Sequence, residues 1–462
     1  MKSFDYTTYL SPFTWRYGSS QMRTIWSEIY KRKLWRRIWV ALAKAQYTQG
    51  LLSKKELDDL IKHESAIDIE KSDEIESQIH HDLMAEIKTY ESQAKIGGGK
   101  IHLGATSMDI EDNADTIRYK ESLRIIEEKL ILLFKTFAEK ITQYKDLVCM
   151  AYTHLQPAEP TTLGYRFCLY AQDIYFDLTL LRFVKQMNKG KGMKGAVGTS
   201  ASYTALLSEE KAQQLEQDVL KILDIDTVDI ASQTAPRKIE FFIATSLSAI
   251  AQSLYKFAFD VRLMQSPGFG EWQEPFGKKQ VGSSAMPFKR NPIKSEQICS
   301  LARYITNLAI NAKDNAMHML LERTLDDSAN RRLYLSEMFL ATDTVMNSAK
   351  NIIEGLVINE KQIEKNLERF GPFAAIESIM MAAVRNGASR QEMHELLREH
   401  AMKAYERMEN TDYNPLEENL LSDKTLQKYL SQEKIKSLLN PKTHIGLAKI
   451  NCQKFLQKTN EK

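Results

Sequence analysis

The sequence predicts an all-α protein built from long helices, and three features of the chain support this fold class. Proline is absent between Pro12 and Pro157 and again between Pro292 and Pro372, and proline disrupts the interior of a helix. Apolar residues recur every three or four positions in these stretches, which is the periodicity of an amphipathic helix. No stretch alternates apolar and polar residues at every second position, so we expect little sheet.

Residues 112–147 predict one helix that is much longer than is usual in a globular protein. Charged residues fill the gaps between its apolar positions, so the helix has one apolar and one polar face. The apolar positions with this spacing are Ile117, Leu123, Ile126, Leu130, Leu133, Phe134, Phe137 and Ile141. A helix of this length favours a helical bundle.

Residues 237–265 predict a helix of a different kind, because few charges separate its apolar side chains. A helix that is apolar on most sides is buried among other helices or among other subunits. Residues 293–321 and 332–357 predict two further long helices. After residue 360 the pattern becomes shorter and more polar, which indicates a small C-terminal domain.

Three breaks rich in glycine, proline or serine separate these helices, at residues 96–107, 188–202 and 266–292. The third is long, and a compact domain rarely tolerates such a loop unless the loop has a function. The second contains Gly190, Gly192 and Gly195 in the spacing of a dinucleotide-binding loop. That motif needs a preceding strand, whereas a helical pattern precedes it here, so we interpret the segment as a tightly turning loop.

Size, charge and cysteine usage limit the class of protein. The chain has 462 residues with 43% hydrophobic content, enough for a large core and for two to four domains. A net charge of +3 argues against a nucleic-acid coat or a polybasic membrane anchor. The four cysteines show no metal-ligand spacing, and no apolar run is long enough for a membrane span or a secretion signal. We therefore expect a cytoplasmic protein without nucleic-acid or membrane partners.

Two histidine segments are candidates for a functional site. Adjacent residues on a helix point about 100° apart, so His80 and His81, which precede Asp82, cannot easily bind one metal ion. A solvated helix start explains this segment as well as a site does. His154, in the segment THLQP, is expected at the end of a long helix before a proline-rich break, where sites form, although a satisfied polar histidine is the alternative.

Two further segments suggest recognition of an anion. Residues 282–292, GSSAMPFKRNP, combine two hydroxyls, two cations and an amide with a glycine and two prolines. This composition suits a lid that closes over an anionic substrate, although a solvated basic loop is the alternative. Residues 323–332, RTLDDSANRR, carry three arginines, which bind phosphate or carboxylate with two hydrogen bonds. A surface salt-bridge cluster with Asp326 and Asp327 explains this segment equally well.

The segment GSSAMPFKRNP closely resembles the GSSxMPxKxNP signature of the fumarase/aspartase superfamily. Within it the chain resembles the adenylosuccinate lyase family, and the animal-type branch more than the short bacterial one. The segments that carry this resemblance are SPFTWRYGS, HHDLMAEI, IHLGATSMDIEDNAD, YTHLQPAEPTTLGYRFCLYAQD, SQTAPRK and LERTLDDSANRR. They follow in the expected order from residue 11 to residue 332, similarity continues through EGLVINEKQIEKNL, and the C-terminal part matches more loosely.

The resemblance implies three helical domains, over residues 1–111, 112–364 and 365–462, with the signature loop 266–292 in the central one. The central domain would be a long five-helix bundle, and four subunits would form a homotetramer with a twenty-helix core. Each active site would draw on three subunits. The implied reaction removes fumarate from succinylated purine nucleotides, without a metal ion or an organic cofactor.

The resemblance also implies a role for each catalytic residue. His154 would be the general acid that protonates the leaving nitrogen, with Glu296 orienting it, and a histidine pKa near neutrality suits that task. Ser283 would be the base that removes the proton from the succinyl β-carbon. A free serine is a poor base, so the closed loop would have to surround its alkoxide with N–H groups and cations. Lys289 and Asn291 would hold the succinyl carboxylate.

The remaining implied site residues bind three parts of the substrate. They are Thr106, Ser107, Thr153 and Gln233 at the succinyl end, His81 near the reacting centre, and Arg16, Tyr17, Arg323, Ser328 and Arg332 at the phosphate and ribose, with His80 and Asp82 as further substrate-binding residues. The chain departs from its animal-type relatives at His80 and Gln297, where they carry arginine. The absence of a cation at these positions would change the affinity for an anion and the preference between the two succinylated purine nucleotides that the family accepts. Lys294, one turn before Gln297, is a candidate replacement for the missing cation.

Two alternatives belong to different classes of protein. One is another lyase of the superfamily, such as argininosuccinate lyase or a cycloisomerase. The arginine-rich segment 323–332 and the Arg16–Tyr17 pair count against it, because a substrate without phosphate needs no such cluster. The other is a non-catalytic structural homologue, as in lens crystallins. The intact set of His154, Ser283 and Lys289 counts against that.

Overall fold

The computed structural model describes residues 5–411 and 413–460 and shows an almost wholly helical chain. The helices, in chain order, are α1 Ser20–Ile25, α2 Glu28–Thr48, α3 Lys54–His63, α4 Ile69–Ile79, α5 Asp82–Gln93, α6 Ser107–Tyr144, α7 Leu163–Met187, α8 Ala201–Leu206, α9 Glu209–Leu223, α10 Lys238–Met264, α11 Ile293–Met317, α12 Asp326–Gly355, α13 Glu360–Ala374, α14 Ile376–Arg385, α15 Arg390–Asn410, α16 Leu416–Ser422, α17 Gln432–Leu439 and α18 Ala448–Asn460. The strands are β1 Val148–Thr153, β2 Gln156–Thr162, β3 Trp272–Gln273 and β4 Val357–Ile358. The all-α class is confirmed.

All four long helices expected from periodicity are present. α6 has 38 residues, and α10 lies within one residue of the expected segment 237–265 at each end. α12 begins six residues before the expected position 332, since Asp326 and Asp327 in its first turn favour a helix N-terminus. Helix α7 was not among the helices expected from periodicity, because its apolar side chains are spread around the helix axis without a clear face.

The strands form two antiparallel pairs, β1 with β2 and β3 with β4. The β1–β2 hairpin is the element that differs most from expectation. It occupies residues for which the sequence indicated a helix end. Its base is buried, and β1 packs against α13 with Met150 and Leu367 at the contact.

The chain folds into two compact units. Unit 1 comprises Met1–Ile131, Phe176–Leu254 and Ser300–Asn347, and unit 2 comprises Leu132–Tyr175, Tyr255–Cys299 and Ser348–Lys462. The three-domain organisation expected from the resemblance is not tested by this division and stays a prediction.

Each unit has a hydrophobic core. In unit 1, α2 is buried along most of its length and packs against α9, with Trp39 and Leu42 in the core. In unit 2, helices α14 to α17 enclose a separate cluster that includes Ile379, Leu420 and Ile435. This cluster lies within the region expected to form a small C-terminal domain.

The four cysteines are buried, and none of them is part of a disulfide. Among the described residues, no helix is long and apolar enough to cross a membrane. In the same part of the chain, no group of three or more histidine, cysteine or acidic side chains has the arrangement of a metal site.

Candidate active site

His154 lies in the turn of the β1–β2 hairpin, so its expected position at a helix end was wrong. Thr153 pairs with Gln156 across the hairpin, which leaves His154 and Leu155 as a two-residue turn. Both have positive φ, 53° and 61°, as a type I′ hairpin turn requires. Such turns usually contain asparagine or glycine, so His154 and Leu155 did not indicate a hairpin at this point of the chain.

The conformation of this turn is itself informative. A residue other than glycine costs roughly 1–2 kcal/mol in the left-handed region, and strained backbone of this kind clusters at functional sites. The strand residues next to the turn are anchored. Tyr152 donates a hydrogen bond to Glu271 over 3.1 Å, and Arg166 pairs with the same carboxylate at 3.4 Å. The His154 side chain is exposed to solvent, where a substrate can reach it.

Ser283, the expected base, sits in a cradle of backbone N–H groups. The amides of Ala285 and Met286 donate to its Oγ over 3.3 and 3.1 Å. Asn291 closes the loop by donating from its side chain to the carbonyl of Gly282 over 2.9 Å. Donors aimed at a hydroxyl oxygen stabilise the negative charge that develops when the hydroxyl loses its proton. The loop therefore supplies part of the environment that a serine base requires.

The end of the signature loop is fixed by the start of α11. Glu274, which is buried, accepts hydrogen bonds from the backbone N–H groups of Lys294 and Ser295 over 3.0 and 2.9 Å. A carboxylate at this position satisfies free N–H groups and complements the helix dipole. The side chains of Lys289 and Glu296 are exposed on either side of this anchor.

The residues with implied catalytic roles all lie in unit 2. Among the residues that the structure describes, no hydrogen bond joins His154 to Ser283, Lys289 or Glu296. The orienting role of Glu296 therefore stays a prediction.

The segment HHD forms a tight junction between two helices in unit 1. His80 ends α4 with a φ of 54°, and His81 is the N-cap of α5. Asp82, the first residue of α5, pairs with Arg332 at 2.8 Å. The structure thus brings together two segments, HHD and RTLDDSANRR, that lie far apart in the sequence.

The arginines of residues 323–332 have different environments. Arg332 is half-exposed beside Asp82, and Arg323 pairs with Asp327 at 2.8 Å. Arg331 is buried, where it donates to Glu240 over 2.9 and 3.0 Å. The alternative of a surface salt-bridge cluster is therefore wrong for Arg331 and Asp327, which belong to the interior.

Arg332 and Ser328 line a cavity of about 140 Å³ in unit 1. Asp82 faces the same cavity. Gln233 lies beside the arginine segment, since its backbone N–H donates to the carbonyl of Glu322 over 3.2 Å. Four expected substrate-binding positions are thus placed in one region of unit 1 together with Arg323.

Arg16 and Tyr17 belong to a turn that α12 holds in place. The backbone N–H of Gly18 donates to Thr344, and that of Ser19 donates to Asp343, both over 2.6 Å. Gly18 has a φ of 79°, and a β-carbon there would lie 2.5 Å from Leu340. Any other residue here would be strained by the positive φ and would have to displace the Leu340 side chain.

Thr106 and Ser107 stand at the start of α6, above a buried ion pair that the sequence did not reveal. Asp109 accepts from the Thr106 backbone N–H over 3.0 Å and from the Lys191 ammonium over 2.6 Å. Lys191 lies in the glycine-rich loop 188–202, where Gly192, Gly195 and Gly198 have positive φ, as expected for a turning loop. Burial lowers the pKa of nearby His102 to about 4, so this imidazole is neutral at physiological pH.

Comparisons with known proteins show the family to which the chain belongs. Residues 16–306 match the family described as Lyase, and residues 372–455 match the one described as Adenylosuccinate lyase C-terminus. The adenylosuccinate lyase of Saccharomyces cerevisiae is 37% identical over 463 residues, covering 98% of this chain and 95% of that protein. That of Methanocaldococcus jannaschii is 38% identical over 441 residues, covering 95% and 93%.

Solved structures with the same fold include two bacterial proteins. A fumarate lyase from Mesorhizobium sp. BNC1 superposes with a TM-score of 0.85 at 22% identity, covering 97% of this chain and 99% of that one. A 3-carboxy-cis,cis-muconate lactonizing enzyme from Pseudomonas putida gives 0.87 at 21% identity, covering 97% and 99%. At these identities the likeness concerns the fold alone. The full-length similarity to the yeast and archaeal proteins goes further, and the chain belongs to the adenylosuccinate lyase family of the fumarase/aspartase superfamily.

Proposed function

We propose that the chain catalyses the β-elimination of fumarate from adenylosuccinate, giving AMP, and from succinylaminoimidazole carboxamide ribotide (SAICAR), giving AICAR. The observation that carries this proposal is the environment of the Ser283 hydroxyl, whose oxygen accepts hydrogen bonds from two backbone N–H groups of the signature loop. An alkoxide base needs such donors, and a solvated loop does not. Similarity to adenylosuccinate lyases over nearly the whole chain supports the substrate.

In the proposed mechanism one proton passes from carbon to Ser283, one passes from His154 to nitrogen, and the carbon–nitrogen bond breaks. Ser283, in the alkoxide form that the loop N–H groups stabilise, takes up the proton of the succinyl β-carbon and becomes a hydroxyl, while Lys289 and Asn291 hold the carboxylate on which the charge of the carbanion builds. The bond between carbon and nitrogen then breaks with its electrons moving to nitrogen, and His154 protonates that nitrogen as fumarate forms. All proton transfers take place between side chains and substrate, so the chemistry calls for no metal ion or organic cofactor.

The substrate's nucleotide end is assigned to unit 1 residues. Arg332 suits the phosphate, because it is half-exposed and a guanidinium forms two hydrogen bonds with an oxyanion. The other proposed contacts are Arg16, Tyr17, Arg323 and Ser328 at the phosphate and ribose, His81 near the reacting centre, and Thr106, Ser107, Thr153 and Gln233 at the succinyl end, with His80 and Asp82 as further substrate-binding residues. We place the enzyme in the cytoplasm, which its buried cysteines, none of them in a disulfide, support.

A spectrophotometric assay tests the proposed function. Purified protein is mixed with adenylosuccinate, SAICAR or argininosuccinate, and the ultraviolet absorbance is followed. We expect turnover of the two purine substrates and none of argininosuccinate. Turnover of argininosuccinate alone would establish the other superfamily lyase, and no turnover of any substrate would favour a non-catalytic homologue.

The first prediction concerns a homotetramer with shared active sites. Several long helices expose large apolar side chains that are between 45% and 64% accessible, namely Leu169, Phe183, Phe259, Ile310 and Leu333. Apolar surface of this extent is typical of an interface. We expect light scattering to give a mass of about four times 53.1 kDa. A stable and fully active monomer would contradict the prediction.

The second prediction concerns the position where relatives carry an arginine. Lys294 is exposed on the first turn of α11, and its backbone N–H is fixed by Glu274, so its side chain can change without loss of the helix start. If Lys294 replaces the missing cation at Gln297, Lys294→Ala raises KM more than it lowers kcat. The reason is that the lost contact would hold the substrate and the transition state equally well. Gln297→Arg keeps kcat within a few-fold. Steady-state kinetics with both purine substrates measure this, and an unchanged KM in Lys294→Ala would rule out the replacement.

A further inference from the structure

Glu111 is an acidic residue near the start of α6 that neither the proposed mechanism nor the expected substrate contacts use. Its side chain lines the cavity of about 140 Å³ that also contains Ser328 and Arg332. Among the described residues, no group forms a hydrogen bond or an ion pair with its carboxylate. The pKa of Glu111 is changed by burial and by the charges of its neighbours. Glu111 is only partly buried, so its carboxyl group is accessible to a ligand that enters the cavity.

The cations around this cavity are already engaged. They form pairs with other acids, which are Lys31 with Glu28 at 2.6 Å, Arg118 with Asp115, Arg331 with Glu240 and Arg332 with Asp82 at 2.8 Å. Glu111 therefore faces the cavity without a cation of its own.

The acids around Glu111 make its ionised form unfavourable. Burial raises the pKa of Glu111 to about 8, and three neighbouring carboxylates act in the same direction, while Arg332 opposes them. These carboxylates belong to Asp82 of α5 and to Asp115 and Asp112 of α6. At neutral pH the Glu111 carboxyl is therefore mostly protonated and carries an O–H that can be donated to a ligand.

We propose that Glu111 is a further phosphate-binding residue, which donates a hydrogen bond from its protonated carboxyl to the substrate phosphate beside Ser328 and Arg332. This inference rests on the proposed function, because it needs a phosphorylated substrate in this cavity. An ionised carboxylate would repel the phosphate, whereas a protonated one adds a hydrogen bond to a charged acceptor. The bound phosphate in turn favours the protonated form of Glu111.

The test is equilibrium binding of AMP, the phosphorylated product, between about pH 7 and pH 9.5. A phosphate monoester has its second pKa near 6, so the ligand keeps its charge over most of this range. For the unaltered protein we expect the affinity to fall about tenfold as Glu111 ionises. In Glu111→Gln the amide donates at every pH, so affinity at pH 7 stays within about threefold and the decline above pH 8 disappears. Glu111→Ala, which lacks a donor, binds about tenfold more weakly at pH 7.

The matched control is Glu128→Gln, on the same helix, where the exposed carboxylate pairs with exposed Arg124. It should show the pH profile of the unaltered protein. Tighter AMP binding by Glu111→Ala would show that Glu111 is ionised and repels phosphate, and an unchanged pH profile in Glu111→Gln would equally overturn the inference. Failure of the proposed function looks different, since the unaltered protein would then neither bind AMP nor turn over adenylosuccinate.

Thermal unfolding gives a second readout that needs no ligand. The pKa of Glu111 in the folded protein lies above the ordinary value of 4.5, so the folded state holds a proton that the unfolded chain has lost. The contribution of Glu111 to the free energy of unfolding is fully present below about pH 4.5 and is lost as the pH rises towards about 8. We expect Tm of the unaltered protein to fall relative to Glu111→Gln between about pH 5 and pH 8. Parallel Tm profiles would show that Glu111 ionises normally.

Discussion

Replacing His154 or Ser283 by alanine should lower the turnover of adenylosuccinate at least about 10²-fold, the lower end for loss of a general acid or base. His154 is exposed and Ser283 is partly exposed, so neither change removes core packing, and stability should stay within about 0.5 kcal/mol. The measurements are kcat from the absorbance assay and Tm from circular dichroism. Ser284→Ala is the matched control, because it removes the neighbouring hydroxyl, and it should keep most of the turnover.

Near-normal turnover in Ser283→Ala would show that the base has been assigned to the wrong residue. A subunit-mixing experiment then tests where the site is assembled. Since no hydrogen bond joins His154 to Ser283 within the described chain, we expect these side chains to meet across subunits. Mixing the two inactive variants and allowing exchange should restore part of the activity, whereas each variant alone stays inactive. No recovery from mixed tetramers would place both residues in sites formed by one subunit.

The second large effect concerns stability. Arg331→Met should destabilise the protein by about 3–5 kcal/mol, which is typical when one partner of a buried ion pair is removed. The Arg331 guanidinium donates to Glu240 and, over 3.1 Å, to Asp115, and Arg237 joins the same buried group through Asp112 and Asp327. Methionine fills the space but leaves the Glu240 carboxylate without this partner.

The neighbouring arginine provides the control for this prediction. Arg332→Met removes a half-exposed pair with Asp82, and exposed pairs contribute only about 0–1 kcal/mol. Its effect should appear in KM, because Arg332 is proposed to bind phosphate. Thermal unfolding and steady-state kinetics of both variants separate the two roles. Equal stability of Arg331→Met and the unaltered protein would show that the buried network contributes little.

The sequence by itself determined the fold class, the long helices and the signature loop. Helices α6, α10, α11 and α12 follow from local periodicity and from the placement of proline, which depend on residues close together in the chain. The signature loop was recognisable for the same reason, since all of its residues lie in one short segment. Such features carry their information without any knowledge of packing.

The tertiary structure alone decided which polar residues lie inside and which line a site. Arg331 and Arg332 are adjacent and chemically identical, yet one is buried in an ion network and the other is half-exposed beside Asp82. The His154 turn was missed because its strained conformation is imposed by strand pairing rather than by glycine. Burial and partnership depend on helices that are distant in the sequence, and side-chain charges acquire their environment only when those helices pack.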